Sequence, residues 1–436
     1  MLRAVKRQSR WRVLRLSRPG SLSPAAIVWL LGVSQIVGYG TLYYSFSIIA
    51  DDVASTFAWP VSWLYGSFSL ALLAGGVIAP LAGRRIDRHG AAPVMALGSA
   101  IAAAMLVWAA LAWNPIVFTI ALIAMQSASA LVLYDAAFAA LVQATGPQAR
   151  KRITHLTLIA GFASTLFWPL TTWLHIGLDW REILLVFAGL NLFVCLPIHL
   201  LLAAQQASSR ANPSLSPAAD TPTPTALPPR VERRLLMLVT FGFALSNLAL
   251  YAVLTQMVLT LTTLGLGTSA LLVSTLFGPS QVLVRFVNML LGERRHPLSA
   301  ALVGLSMTPL ALIVLMLSAP STAGAVAFAV LLGFGSGLKS IVQGTLPLAL
   351  FGRASYGARL GIMAAARQVF SAVAPFAFAG LMAAFGPKYA LATLAVAGAL
   401  GLAALVEVAR ISRSPTQPGL GELAPRSGEG MVSDPD

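Results

Sequence analysis

Twelve runs of some twenty apolar residues, separated by short charged or proline-rich gaps, constrain this chain more than anything else in it. A helix rises about 1.5 Å per residue, so roughly 20 such residues match the ~30 Å hydrocarbon core of a bilayer. The windows fall near 25–50, 60–82, 91–113, 115–144, 153–177 and 182–204, then near 234–259, 268–292, 298–318, 322–350, 356–384 and 388–410. Of the 436 residues 57% are apolar and 10% charged, where soluble domains carry about 45–50% and about 25%. Such a composition cannot clothe a surface that faces water. The expectation is an all-α integral membrane protein with most of its surface in lipid. Glycine and proline inside the windows are compatible with this, because packed neighbours satisfy the freed backbone groups.

Charge sets the orientation. Twenty-four of the 29 Lys and Arg residues fall on the tails and loops of one side if the N-terminus is cytoplasmic, and only Arg181 and Lys388 fall on outer loops. The positive-inside rule therefore puts both termini in the cytoplasm. Arg3, Lys6, Arg7, Arg10, Arg12, Arg15 and Arg18 make residues 1–24 a basic cytoplasmic segment suited to anionic lipid. This distribution, and not a nucleic-acid partner, accounts for the net charge of +15. The first apolar run is too long for a signal-peptide core and reads as a retained helix. Cys195 is the single cysteine, which excludes disulfides and thiol-built metal sites. No metal site and no cofactor are expected.

Residues 205–233 carry Pro213, Pro217, Pro222, Pro224, Pro228 and Pro229 among Ser, Thr and Ala. This composition cannot bury a core and reads as a disordered cytoplasmic linker; residues 412–436 read as a disordered tail. The linker divides the chain into six-helix bundles at 25–204 and 234–411. An internal repeat supports the division: Gly146 falls on Gly352 and Pro169 on Pro375 at a shift of 206, Tyr44 on Tyr251 at 207, and Gly83 on Gly292 at 209. Four coincidences at nearly one offset, on equivalent helices, suggest two related halves packed around a central site.

A charge at mid-bilayer costs about 2.5–3.5 kcal/mol on insertion scales and persists where it has a partner or a wet cavity. Four such residues stand out: Asp135, Arg285, Lys339 and Arg367. Three cations against one acid leave positive charge that an anionic substrate would balance, and the arginine fork suits a carboxylate. The bland reading pairs these cations with helix carbonyls or headgroups. Asp135 either carries a coupling proton or forms a permanent ion pair with Lys339 or Arg367. His155, early in its span, is a second proton candidate. Polar and aromatic groups on the first and seventh runs suggest a cavity wall made of Gln35, Tyr39, Asn247 and Tyr251.

Between the second and third windows stands Gly83-Arg84-Arg85-Ile86-Asp87-Arg88-His89-Gly90. Gly, three residues, then Asp-Arg-x-Gly closely resembles the loop between the second and third helices of major facilitator superfamily transporters. That resemblance implies the family's fold: twelve transmembrane helices in two pseudo-symmetric six-helix bundles. It also implies a gating role for Gly83, Asp87, Arg88 and Gly90. Asp87 would hold the inner side closed at the cytoplasmic start of the eleventh span, with Arg359 as partner. The sequence departs from the family at Ala91-Ala92, where basic residues are usual. A single Arg in the eighth span, a cation in the eleventh and Gly38-Tyr39-Gly40-Thr41-Leu42-Tyr43-Tyr44 look like the bacterial organic-anion branch with oxalate–formate exchangers and monocarboxylate transporters. The resemblance thus implies a location in the bacterial inner membrane.

The expected function is secondary active transport of a small, monocarboxylate-like anion by alternating access, coupled to protons. The partners are that substrate, the proton and membrane lipid, with no nucleic acid and no obligate protein partner. No P-loop accompanies the spans, which disfavours ATP-driven pumping. No nucleophile–base pair marks an intramembrane enzyme. The alternative is efflux of a toxic compound, a lipophilic drug or an arsenical.

Overall fold

Local chemistry sets where the spans begin and end. Ser23 accepts from the Ala26 amide at 3.1 Å just before Pro24, and Asn114 accepts from Val117 at 2.8 Å just before Pro115. Each caps a helix whose first residue is a proline, the arrangement that leaves fewest orphan donors. Asp179 and Glu182 form a capping box before the sixth span. Gly146 (φ 56) and Gly352 (φ 70) end the fourth and tenth spans in a conformation that disfavours any side chain. These two are one of the pairs that the repeat aligned. Another, Pro169 and Pro375, lies inside the fifth and eleventh spans.

A computed structural model describes residues 22–211, 228–291 and 296–413. Eleven segments are long and apolar enough to cross a membrane. One of them, Pro115–Leu174, has 60 residues and is divided at Gly146 into a fourth and a fifth span. The spans are then Pro24–Thr56, Val61–His89, Ala91–Ala110, Pro115–Thr145, Ala149–Leu174 and Trp180–Ser208 in the first bundle. Pro229–Thr255, Ser269–Leu290, Pro297–Ser318, Thr322–Phe351, Tyr356–Phe385 and Pro387–Arg413 form the second.

The bundles repeat one packing scheme. Spans 1 and 5, 2 and 4, 3 and 4, and 3 and 6 pack together; so do 7 and 11, 8 and 10, 9 and 10, and 9 and 12. Between the bundles, span 2 meets span 11 as span 8 meets span 5, and span 4 meets span 11 as span 10 meets span 5. Large side chains such as Trp29, Trp63, Val77, Phe193 and Leu272 point outward and exposed, as a surface solvated by lipid requires.

The cores differ between the two ends. Toward the outer side each bundle has its own: one around Phe118, Trp180 and Phe187, the other around Phe328, Phe378 and Leu391. Toward the inner side the first bundle's core, with Met95, Phe138 and Ile86, runs on into Tyr356 and Leu360 of span 11. The bundles therefore share hydrophobic packing on the inner side.

Several boundaries differ from the sequence reading. Residues 83–89 continue the second helix and do not form a loop; the chain turns only at Gly90 (φ 100). Helix also continues through Gln205 to Ala211 and resumes at Pro229, so the ends of the expected linker 205–233 are helical. Residues 212–227, most of 1–24, most of the 412–436 tail and Gly292 lie outside the described residues. Span 4, expected as one helix over 115–144, is interrupted between Ser129 and Tyr134.

Candidate functional site

That interruption builds the site. The helix restarts at Tyr134, which places Asp135 in a first turn, where the helix dipole favours a negative charge. Arg367, from span 11 of the other bundle, donates through Nη2 to both carboxylate oxygens, at 2.9 and 3.2 Å. The pair joins the two bundles in the middle of the chain's membrane region. Arg367 is only 8% exposed, while the Asp135 side chain retains 26%. The Nη1 of Arg367 is buried with no hydrogen-bond partner in the protein.

Lys339 lies beside this pair on span 10. It is buried, it reaches the Ser246 carbonyl at 3.4 Å, and it is near enough to Arg367 for the two charges to interact. The Ser246 hydroxyl is also buried without a partner. Asn247 donates to Ser371, one turn beyond Arg367, at 3.1 Å. Spans 7, 10 and 11 thus supply a cluster with unused donors. Two basic side chains, Arg367 and Lys339, share that cluster with one carboxylate.

Two expected binding residues, Gln35 and Arg285, are held by partners within the protein. Gln35 is fully buried and donates to the Val132 carbonyl at 2.7 Å, a group freed by the break in span 4. Gln126 returns the tie, donating at 2.6 Å to Leu42 in the π-helical turn Gly40–Tyr44. Arg285 has a partner on each nitrogen: Ser340 at 3.0 Å, Thr157 O at 3.3 Å and Gln281 at 3.1 Å. Thr157 belongs to span 5, so Arg285 straps the bundles together. A Cβ on Gly161 would come within 2.2 Å of its Nη1.

The inner latch is also arranged differently from expectation. Asp87 accepts from the amides of Gly357 and Ala358, both at 2.8 Å. Ser355, at the N-cap position of span 11, contributes no side-chain cap. Asp87 therefore caps that helix from the opposite bundle. Arg359 does not meet it; its Nε pairs with Glu232 at 3.1 Å, it bonds the Ala354 carbonyl, and it lies over Phe351 within its own bundle. Gly83 packs so tightly that a Cβ would sit 2.1 Å from the Gly357 carbonyl oxygen, and one on Gly361 would sit 2.4 Å from Ala79 O. Arg88 is exposed at the helix end, and Gly90 makes the turn.

Above the ion pair the first bundle offers tyrosines. Tyr39 lies 4.8 Å from Tyr134 and 6.2 Å from Tyr44, and Tyr43 lies 5.4 Å from Tyr44, centroid to centroid. Tyr43 also reaches the phenol of Tyr251 on span 7. Both Tyr39 and Tyr251 are half-buried, as cavity-lining groups would be. His155 is half-buried in Ala149–Ala160, the inner half of span 5.

The sequence profile of the Major Facilitator Superfamily matches residues 28–338. The chain belongs to the major facilitator superfamily. No curated protein matches it as a relative. Among solved structures it is similar to the human organic anion transporter MFSD10 (TETRAN), at 15% identity and a TM-score of 0.67, covering 88% of this chain and 100% of that one. It is similar to the proton:xylose symporter XylE bound to 6-bromo-6-deoxy-D-glucose, at 14% identity and 0.65, covering 89% and 95%. It is also similar to FucP in the outward conformation, at 14% identity and 0.62, covering 88% and 99%. At such identities the likeness is one of fold. Superfamily membership makes the protein a multi-pass membrane transporter of small solutes and not an enzyme.

Within this superfamily member, sequence reasoning missed the break at Ala130–Leu133, the Gln35 and Gln126 ties, and Tyr134. A signal for the last was present: Tyr134 immediately precedes Asp135, the acid singled out in the fourth span. Gln143, which accepts from Ala91 N at 2.8 Å and from Gln206 at 2.7 Å to fix the turn at Gly90, was also missed.

Proposed function

We propose that this protein is a secondary active transporter of a small, monocarboxylate-like anion, coupled to protons and working by alternating access in the bacterial inner membrane. The observation that carries this is the buried, partnerless Nη1 of Arg367, with Lys339 beside it and a single carboxylate, Asp135, shared between them. A substrate carboxylate bound to Arg367 and Lys339 would take up the free donor and compete with Asp135 for the guanidinium. Asp135, once displaced, would face low dielectric without a counter-ion, which favours taking up a proton. Asn247 and Tyr251 would border the bound anion, and Asp87 with Gly83 would close the inner side. His155, Arg88, Gly90 and Arg359 support the inner half of the cycle.

A buried guanidinium with a free nitrogen, beside Lys339, counts against a neutral, lipophilic substrate of the drug-efflux kind. The test is a thermal-shift screen of purified protein with carboxylates, arsenicals and lipophilic drugs. A ligand that binds only the folded state raises its stability by mass action. Stabilisation by a carboxylate that disappears in Arg367→Ala supports the proposal. Stabilisation by drugs or arsenicals alone, unchanged in Arg367→Ala, refutes it.

A further inference from the structure

The cationic cluster faces a wall of unusual composition. Five of the chain's eight tyrosines, Tyr39, Tyr43, Tyr44, Tyr134 and Tyr251, gather between the bundles. Tyr134 immediately precedes Asp135, so one helical turn presents both an aromatic ring and the partner of Arg367. Tyr134 is backed by Phe138, stacked at 5.1 Å with 10° between planes. Phe138 is itself fixed: the Cβ that Gly344 lacks would meet its ring at 2.7 Å.

Ordinary core packing does not account for this wall. Phe138 is fully buried, as a core ring should be. Tyr39, Tyr43, Tyr44 and Tyr134 are only half-buried, although their rings pack on one another between the spans. Clustered rings that keep part of their surface open are placed to meet a ligand.

We infer that the substrate is a monoanion with a flat aromatic body, an arylcarboxylate, whose carboxylate meets Arg367 and Lys339 while its ring lies against Tyr39 and Tyr134. The inference rests on the anion reading above and narrows it. The one free guanidinium nitrogen of Arg367, with Lys339 beside it, suits a single carboxylate. The ring wall asks for a π-face, since aromatic pairs offset or edge-on gain affinity beyond the area they bury. Formate-, acetate- or oxalate-sized anions would satisfy the cations and leave the wall in water.

The test is a thermal-shift titration of the purified full chain with matched pairs: benzoate against cyclohexanecarboxylate, phenylacetate against cyclohexylacetate, and benzyl alcohol and acetate as controls. The inference expects the aromatic member of each pair to bind about tenfold more tightly than the saturated one. Tyr134→Leu and, independently, Tyr39→Leu should erase that ratio while leaving the weaker carboxylate response, and Arg367→Ala should abolish both. Equal affinities within each pair, unmoved by either Tyr variant, would overturn the arylcarboxylate inference and leave the carboxylate site standing. Stabilisation by benzyl alcohol equal to that by benzoate, or by no carboxylate at all, would overturn both.

Discussion

Arg285 and Arg367 look alike in the sequence, each a lone arginine in an apolar run, but their partners divide their roles. Every nitrogen of Arg285 has an oxygen, one of them across the bundle boundary. Arg367 keeps a buried nitrogen free. We expect Arg367→Ala to abolish ligand binding with the protein still in the membrane. Arg285→Ala should bind ligand with an affinity within a few-fold of wild type and should loosen inner closure, as read by cysteine accessibility on the inner side. Gln35 gives a third expectation. Its amide satisfies a buried carbonyl, and leaving such a group unpaired costs about 1–3 kcal/mol. Gln35→Ala should therefore lower the melting temperature while leaving ligand affinity near wild type. The presence of charges in hydrocarbon was legible in the sequence, because their cost marks them. Their partners were not, because Gln35 and Arg285 bond to carbonyls whose availability depends on a helix break and on a neighbouring bundle.

At the level of elements, the second helix shows why charge is a poor guide to where a helix stops. Arg84 to His89 contains no residue that breaks a helix, and the chain turns only where Gly90 permits a positive φ. The extra turns carry Asp87 to the amides of span 11. Charge-assisted bonds of this kind contribute about 1.5–3 kcal/mol each, so Asp87→Asn should shift the population toward an inner-open form, measured as a longer distance between spin labels on Arg84→Cys and Arg413→Cys. Another inner element gives a pH expectation. Burial, helped by the Arg150 charge, pushes His296 below its ordinary 6.5. The folded state then binds fewer protons than the unfolded one between the lowered value and 6.5. Stability from this group is present above 6.5 and is lost as pH falls through the lowered value. His296→Gln should flatten the fall in melting temperature on acidification across that window. The break in span 4 was invisible to a hydropathy window, since Ala130 to Leu133 are as apolar as the helix around them.

For the whole molecule, the twelve-span count, the two halves and the side on which they close follow from features the sequence displays: span length, a repeat near 206 residues, and glycines at the seam. The close-packed carbonyls at Gly83 and Gly361, the Asp87 cap, the Arg285 strap and the shared core around Tyr356 all lie on the inner side. The Arg367–Asp135 pair lies between this closed half and the tyrosine-lined space above, so a ligand that breaks the pair acts on a contact between the two bundles. The decisive measurement is uptake of a labelled carboxylate into proteoliposomes under an imposed pH gradient, for wild type, Arg367→Ala and Asp135→Asn. The expected result is accumulation by the wild type, none by Arg367→Ala, and exchange without pH-driven accumulation by Asp135→Asn. Wild-type accumulation by Arg367→Ala, or pH dependence unchanged in Asp135→Asn, would contradict it.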